Sequence, residues 1–355
     1  METSYLISPN ALNRFNELRY RAIDQITEDF YRKHGAEYAR FGERGRKFCR
    51  EDIEFHLDFL RPVLEMGQLQ PYVDYLRWFA EVLAARNIPV DHVAETIDAI
   101  GAFFRENIEG EAGEVIATAL TSAASEAQQA GALSVSDPVM DPWPEQKPFE
   151  EALLLGDRQT AAGIFNSLLQ GGHSLLDLEV KLIQSALVDI GLQWQANKIS
   201  VAQEHLATAT AQTIMANAFS KTRLKLPNGK KAVLACVEGN DHALGIRMIG
   251  DALEVDGWEV QFLGANVPVT SLVEFVKNTN PNLVGLSISL PHQMAAARQT
   301  IQALRAQISH NPPPVIVGGY AVNQFEVLAY RMGADGHARN ALLALPLAIK
   351  FCGAS

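Results

Sequence analysis

Between residues 8 and 130, apolar side chains recur three or four positions apart among good helix formers. Phe55, Phe59 and Leu60 form one set, Val73, Leu76 and Trp78–Phe79 a second, and Val93, Ile97 and Ile100 a third. That spacing puts each set on one helix face and predicts core stripes. Pro71, Pro89 and Gly110 divide the stretch into several helices. Residues 149–222 keep the helical period and predict about four short helices, a bundle. After Lys230 the pattern changes to short runs of Val, Ile, Leu and Ala at 232–237, 260–263, 283–289 and 315–317, separated by amphipathic stretches of helical length. Strands alternating with helices predict a parallel sheet covered on both faces, with any ligand at the carboxyl ends of its strands.

Gly131 to Pro148 breaks both patterns with Pro138, Pro142, Pro144 and Pro148, and reads as a linker. The expected fold is therefore mainly α plus α/β. A helical domain covers 1–130, the linker 131–148, a four-helix bundle 149–225, and a Rossmann-like, flavodoxin-like sheet 229–355. A chain of 355 residues suits two or three such domains. Its 48% hydrophobic content is ample for their cores. A net charge of −11 argues against broad, unspecific nucleic-acid binding, which needs cations to neutralise phosphates. Cys49, Cys236 and Cys352 show no CxxC spacing, which suits a reducing compartment. The first residues lack a basic stretch followed by an apolar one, and the longest apolar run, 341–349, is too short to span a bilayer and contains Pro346. A soluble, cytoplasmic protein is expected.

The chemistry concentrates at the expected strand ends. Asn240-Asp241-His242-Ala243-Leu244-Gly245 follows the first strand, Ser287-Ile288-Ser289 ends the third, and Gly318-Gly319 ends the fourth. Between them lie 41 residues from Gly245 to Ser287 and 28 from Ser289 to Gly318. A histidine at the mouth of one strand, a serine pair on another and a double glycine on a third can together hold one large ligand with a nucleotide tail. Ser287 and Ser289, two apart on one strand, would face the same side. Glycines at 245, 318 and 319 would let a tail pass close to backbone.

This arrangement resembles the cobalamin-binding domain that carries its cofactor base-off, whose pattern is Asp-x-His-x-x-Gly, Ser-x-Leu and Gly-Gly. Asn240 stands where Asp is usual, and Ser289 where Leu is usual. The resemblance implies His242 as the lower axial ligand of cobalt. It also implies Asn240 as the orienting partner of the imidazole, its amide oxygen taking the ring N–H without the proton coupling of a carboxylate. Asp241, Gly245, Ser287, Ser289, Gly318 and Gly319 would line the cofactor tail. The loop Gly264–Pro268, with Asn266 and Val267, would close the second strand against the corrin edge.

Upstream, Trp194 is followed after nine residues by Glu204-His205, and Ser200 with Gln203 resembles a capping box that starts the helix carrying them. Trp-x9-Glu-His resembles the signature of cobalamin-dependent photoreceptors, including the light-dependent carotenoid-gene repressors, and implies that Trp194, Glu204 and His205 enclose an adenosyl group on the upper face. Those repressors carry a histidine directly after the Trp; here Gln195 excludes that residue as a light-state ligand. They also carry a short DNA-binding domain, whereas this chain has a larger helical region without a helix-turn-helix pattern. That architecture resembles the photocobilins. It implies biliverdin as a second cofactor beside adenosylcobalamin, with Tyr72, Tyr75, Trp78, Phe79, Arg61 and Arg77 as candidate lining and His34, His56 and His92 as spare histidines for a haem.

The expected function is therefore a light sensor and not an enzyme. Light-dependent assembly of a homo-oligomer or a separate signalling protein would carry its output, with no direct contact to nucleic acid or membrane. A corrinoid carrier for methyl transfer, or a light-insensitive cobalamin-binding regulator, is the alternative.

Overall fold

The computed structural model describes residues 5–129, 143–308 and 310–353. The chain divides into two compact units, Met1–Val135 and Ser136–Ser355.

The first unit is all-helical: α1 (Pro9–His34), α2 (Gly42–Met66), α3 (Gln70–Ala84), α4 (Asp91–Asn107) and α5 (Glu111–Gln129). Ser8 caps α1 by accepting the Ala11 N–H, and α2 stops where Gly67 turns left-handed at φ 74°. Phe15 of α1 stacks on Phe104 of α4 at 4.7 Å in the core. Phe59, Leu60, Val73, Leu76, Phe79, Ile97 and Ile100 are buried, but Phe55 is 46% exposed and Trp78 and Val93 only half-buried. On α2 the inward face is taken by Ile53, Leu57, Leu60 and Leu64, and Phe55 lies two residues, roughly 200°, round from Ile53 and from Leu57.

The second unit opens with α6 (Gln146–Leu154), α7 (Arg158–Gln170), α8 (Leu175–Leu178), a π-helical turn (Glu179–Gln184), α9 (Ser185–Gln195) and α10 (Val201–Phe219). Residues 175–195 run as one rod through the π-helical turn, so the bundle has four rods, as its period predicts. Residues 131–142 of the expected linker lie outside the described residues. Its end is corrected: α6 already begins at Gln146, and Pro148 sits in the first helical turn, where its missing N–H costs no hydrogen bond.

The sheet follows: β1 (Lys231–Val237), α11 (Leu244–Val255), β2 (Glu259–Val267), α12 (Val269–Thr279), β3 (Leu283–Ser287), α13 (Met294–Gln307), β4 (Val315–Gly318), α14 (Tyr320–Gln324), α15 (Glu326–Arg331), β5 (Gly336–His337) and α16 (Ala341–Cys352). All pairings are parallel, in the order β2-β1-β3-β4-β5. This is the flavodoxin-like order, and its topological switch point lies between β1 and β3. β5 goes unseen in the sequence because two residues, Gly-His, make no apolar run.

Bundle and sheet share one core: Phe149, Phe165, Ile183, Ile190, Ala211 and Ile214 pack with Met248 and Ala252 of α11 and Ala341 of α16. A polar contact is buried in the same seam. Glu179, in the π-helical turn, is fully buried and lies against Asp251 of α11, itself 2% exposed. Arg247 pairs with Asp251 and, at 3.1 Å, with Glu254, while its guanidinium sits 5.3 Å from the rings of both Phe219 (α10) and Phe262 (β2). Burial, then the Asp251 charge, raises the Glu179 carboxyl far above the carboxylate range, so Glu179 keeps its proton at neutral pH. Burial also raises Asp251 and Glu254.

The folded chain therefore holds protons that the unfolded chain releases above about pH 4.5. Stability falls as pH rises from there toward the folded values, by at most about 1.4 kcal/mol per pH unit and group. Glu179→Gln keeps the shape without the proton. Chemical denaturation between pH 5 and 9 should show a clearly flatter decline in this variant than in the parent; equal slopes would mean that Glu179 is ionised in the folded chain.

Candidate functional site

The carboxyl ends of β1 and β3 carry a hydrogen-bonded loop system. Asn240, fully buried in the turn after β1, donates from Nδ2 to the Ser287 carbonyl oxygen at 2.9 Å and toward Ser287 Oγ at 3.4 Å. Its Oδ1 accepts the backbone N–H of His242 at 3.1 Å. One side chain thus spans the switch point and fixes the turn from which His242 projects. In this structure the Asn240 oxygen meets the His242 backbone, so Asn240 positions the loop from which the ring projects. His242, Asp241 and Gly245 are exposed at the sheet's edge. Cys236, whose thiol burial pushes up to about 11, donates to the His242 carbonyl oxygen at 3.6 Å from inside the sheet.

β2 reaches further than its apolar run, through Gly264, Asn266 and Val267, because its pairing with β1 slips twice. The expected Gly264–Pro268 loop is therefore largely bulged strand. Gly264 (φ 79°) and Asn266 (φ 50°) are left-handed, and the turn brings Asn266 Oδ1 to the Gly239 N–H at 2.8 Å while its own N–H meets the Asn240 carbonyl at 2.9 Å. Val267 pairs with Val237.

Two further side chains, which motif reading passes over, complete the system. Buried Gln293 accepts from the Ser289 and Leu290 N–H groups at 2.9 and 3.0 Å and donates to the Gly239 carbonyl at 2.9 Å. Glu238 accepts from Val269 N at the start of α12, at 3.3 Å. Gln is a common partner for loop N–H groups, but nothing in its sequence neighbourhood shows that it reaches across to Gly239.

Ser289 does not share a strand face with Ser287, because β3 ends at Ser287 and Ser289 is already in the loop held by Gln293. Gly245, the second residue of α11, faces open space: a Cβ there would meet nothing within 4 Å. The double glycine answers a different demand. A Cβ on Gly318 would lie 2.7 Å from the Ala338 carbonyl oxygen, and one on Gly319 (φ 104°) 2.3 Å from that of Ile288. Here glycine is required by the protein's own backbone, which closes tightly round the end of β4.

Trp194 is half-buried in the last turn of α9, and Glu204 and His205 lie in the first turns of α10, which Ser200 and Gln203 start with a reciprocal capping box. Glu204 pairs with His205 and accepts the Thr208 hydroxyl at 3.0 Å. Gln195 is the last residue of α9. Between α10 and α11 a cavity of about 410 Å³, lined by Met215, Phe219, Leu244, Arg247, Asp251 and Phe262, flanks the His242 turn.

Residues 230–345 match the B12 binding domain family, and residues 146–218 match a second B12 binding domain model. This is a cobalamin-binding protein. Among curated relatives, the HTH-type transcriptional repressor CarA of Myxococcus xanthus is 31% identical over 141 residues, 39% of this chain and 47% of the repressor, so the chain spans about half the length of that relative. Dimethylamine corrinoid protein 3 of Methanosarcina mazei is 27% identical over 159 residues, 43% of this chain and 92% of that protein. Among solved structures, the Methanosarcina barkeri monomethylamine corrinoid protein aligns over 58% of this chain and 99% of its own length, with a TM-score of 0.50 and 20% identity, a likeness of fold.

The residues at the switch point fit cobalamin. An exposed imidazole is a suitable cobalt donor, the turn that carries it is braced from β1, β2 and β3, and Gly245 leaves room beside it.

In the first unit, the expected tetrapyrrole lining separates. Tyr72, Tyr75 and Phe79 point into the core, with Tyr75 stacked on Phe59 at 3.9 Å, whereas a cavity of about 460 Å³ is lined by Leu76, Arg77, Ala80, Ala94, Ile97 and Ala124. Helical period explains the split, since Tyr72, Tyr75 and Phe79 share one face of α3, and Leu76 and Ala80 the next. Arg61 pairs with Glu65 at 2.7 Å. His56 Nδ1, Tyr72 Oη and Tyr75 Oη are buried and have no hydrogen-bond partner among the described residues, and burial lowers the His56 pKa to about 3. His34 and His92 lie ring to ring at 4.1 Å, too close for a haem iron between them.

The Asn240 bonds give a test. Asn240→Asp replaces a donor to the Ser287 carbonyl with an acceptor, so the folded state favours the protonated form of the introduced carboxyl. The variant should lose about 1–3 kcal/mol of stability at pH 7 and recover part of it below pH 5. Urea denaturation at the two pH values checks this, and an undiminished stability at pH 7 would mean that the amide is not held as described.

Proposed function

We propose that the chain is a light sensor built on adenosylcobalamin, with biliverdin as a second chromophore in the first unit, and that it is not an enzyme. The observation that carries the reading is the corner formed by α9 and α10, where one capped turn separates half-buried Trp194 from Glu204 and His205. When bound, adenosylcobalamin supplies a cobalt–carbon bond that light can cleave. His242 holds the cofactor from the sheet side, and Asn240 and Gln293 keep its turn fixed. Trp194 screens the opposite side from water, and Glu204 orients His205 beside it. Gln195 places no imidazole directly after Trp194, and His205 would be the imidazole that the bundle offers on that side. Support for biliverdin comes from the architecture, a five-helix unit ahead of the B12-binding region, and not from the orphaned His56, Tyr72 and Tyr75 groups, which lie in the core and off the cavity lining.

The bundle then moves against the sheet along the seam where Arg247 lies between Phe219 and Phe262, and a homo-oligomer or a separate signalling protein reads the shift. Partial similarity to a transcriptional repressor supports a regulatory role. The second reading, a corrinoid carrier for methyl transfer, is favoured by the 92% coverage of a dimethylamine corrinoid protein.

Absorption spectra and size-exclusion elution of chain loaded in the dark with adenosylcobalamin and biliverdin, before and after green light, separate the readings. A lasting change in the cobalamin bands with altered elution and a co-eluting red-absorbing band is expected. Light-stable cobalamin bands would leave the carrier reading, and an absent red band would remove biliverdin.

A further inference from the structure

The turn between α1 and α2 and the start of α4 place two imidazoles and a carboxylate together. His34 ends α1 with its side chain 10% exposed, Glu37 follows in the turn, and His92 is the second residue of α4, 14% exposed. One donor atom from each lies within 4.8 Å of the others. His34 Nδ1 is 3.4 Å from Glu37 Oε1, and His92 Nε2 is 3.9 Å from Glu37 Oε2.

The remaining ring nitrogens face outward partners. His34 Nε2 is 3.0 Å from Glu95 Oε2, whose other oxygen is held by Lys33 at 2.8 Å, and His92 Nδ1 is 2.8 Å from the Tyr38 hydroxyl. Each imidazole thus turns one nitrogen toward Glu37 and has the other fixed. Metal-binding histidines are oriented in just this way, because a hydrogen bond at one nitrogen sets the tautomer and leaves a lone pair at the other.

We propose that His34 Nδ1, His92 Nε2 and the Glu37 carboxylate form a site for a divalent late first-row metal ion, zinc being the probe of choice. Two imidazoles and one carboxylate suit that class and not calcium or magnesium, which take oxygen donors. Tetrahedral zinc needs donors roughly 3.3 Å apart. The exposed Glu37 side chain can close the longer gap to His92. Three protein donors leave the fourth position to water, and the ion ties the end of α1 to the start of α4.

The test uses the full chain, stripped of metal, titrated with zinc ion alone against a chromophoric chelator. One equivalent should bind more tightly than about 10 µM. Glu37→Gln, at an exposed position that leaves the fold intact, and His92→Ala should each weaken it at least tenfold. Tyr38→Phe, which removes only an outer partner, should weaken it by a smaller factor. Thermal melts should show a zinc-dependent rise in Tm in the parent and none in Glu37→Gln. The proposal is overturned if no such equivalent binds, or if Glu37→Gln and His92→Ala bind like the parent. It is overturned equally if the equivalent disappears in a His205→Ala/His242→Ala double variant and persists in Glu37→Gln.

Discussion

The bond from Asn240 to Ser287 is the interaction on which the site depends. A parallel sheet in the order β2-β1-β3-β4-β5 sends the connections after β1 and β3 to opposite faces, opening a crevice between the two strand ends. Such a crevice needs a brace, because the loops that leave it share no strand pairing beyond Cys236 and Ser287. Asn240 supplies the brace with both ends of one amide, to β3 on one side and to the His242 backbone on the other. Asn266 and Gln293 add the same kind of support from β2 and from the loop after β3. The imidazole itself stays exposed, on a turn whose backbone is committed. A ligand-bearing histidine held this way can meet a cofactor with little loss of loop freedom.

The helical bundle is tied to this platform by a core that runs without interruption into α11 and α16. Burying Glu179 against Asp251 within that core costs free energy that apolar residues would not, and protonation removes most of the cost. The π-helical turn that presents Glu179, and the Arg247 guanidinium between Phe219 and Phe262, set polar and charged groups into an otherwise apolar seam. A relative movement of bundle and sheet would be felt first there.

Much of this was legible in the sequence where one residue type at one spacing has a strong local signature. The apolar runs located four strands, the Ser200–Gln203 cap placed the start of α10, and the positions of His242, Ser287 and Gly318 at strand ends followed from the runs. What escaped reading depends on partners far apart in the chain. The role of Asn240 as a donor to Ser287, the reach of Gln293 to Gly239 and the meeting of Glu179 with Asp251 leave no periodic trace. The bulge that extends β2 was hidden because Gly264 and Asn266 look like loop residues, and in the structure they are left-handed positions inside a strand. The double glycine was visible, but its reason was not: the neighbours that exclude a Cβ are carbonyl oxygens of Ile288 and Ala338. His34 and His92 likewise stood out only as single histidines until the fold of the first unit set them side by side.

The central claim is that His242 supplies a nitrogen to the metal of bound cobalamin. Its most direct test is electron paramagnetic resonance of the chain loaded with cofactor reduced to the cobalt(II) state, prepared once with ordinary histidine and once with histidine carrying nitrogen-15. An axial nitrogen-14 splits each cobalt line into three, and nitrogen-15 into two. The account predicts that the label converts three lines to two, and that His242→Ala abolishes the conversion. A three-line pattern untouched by the label would place the cofactor's own base on cobalt and contradict the account.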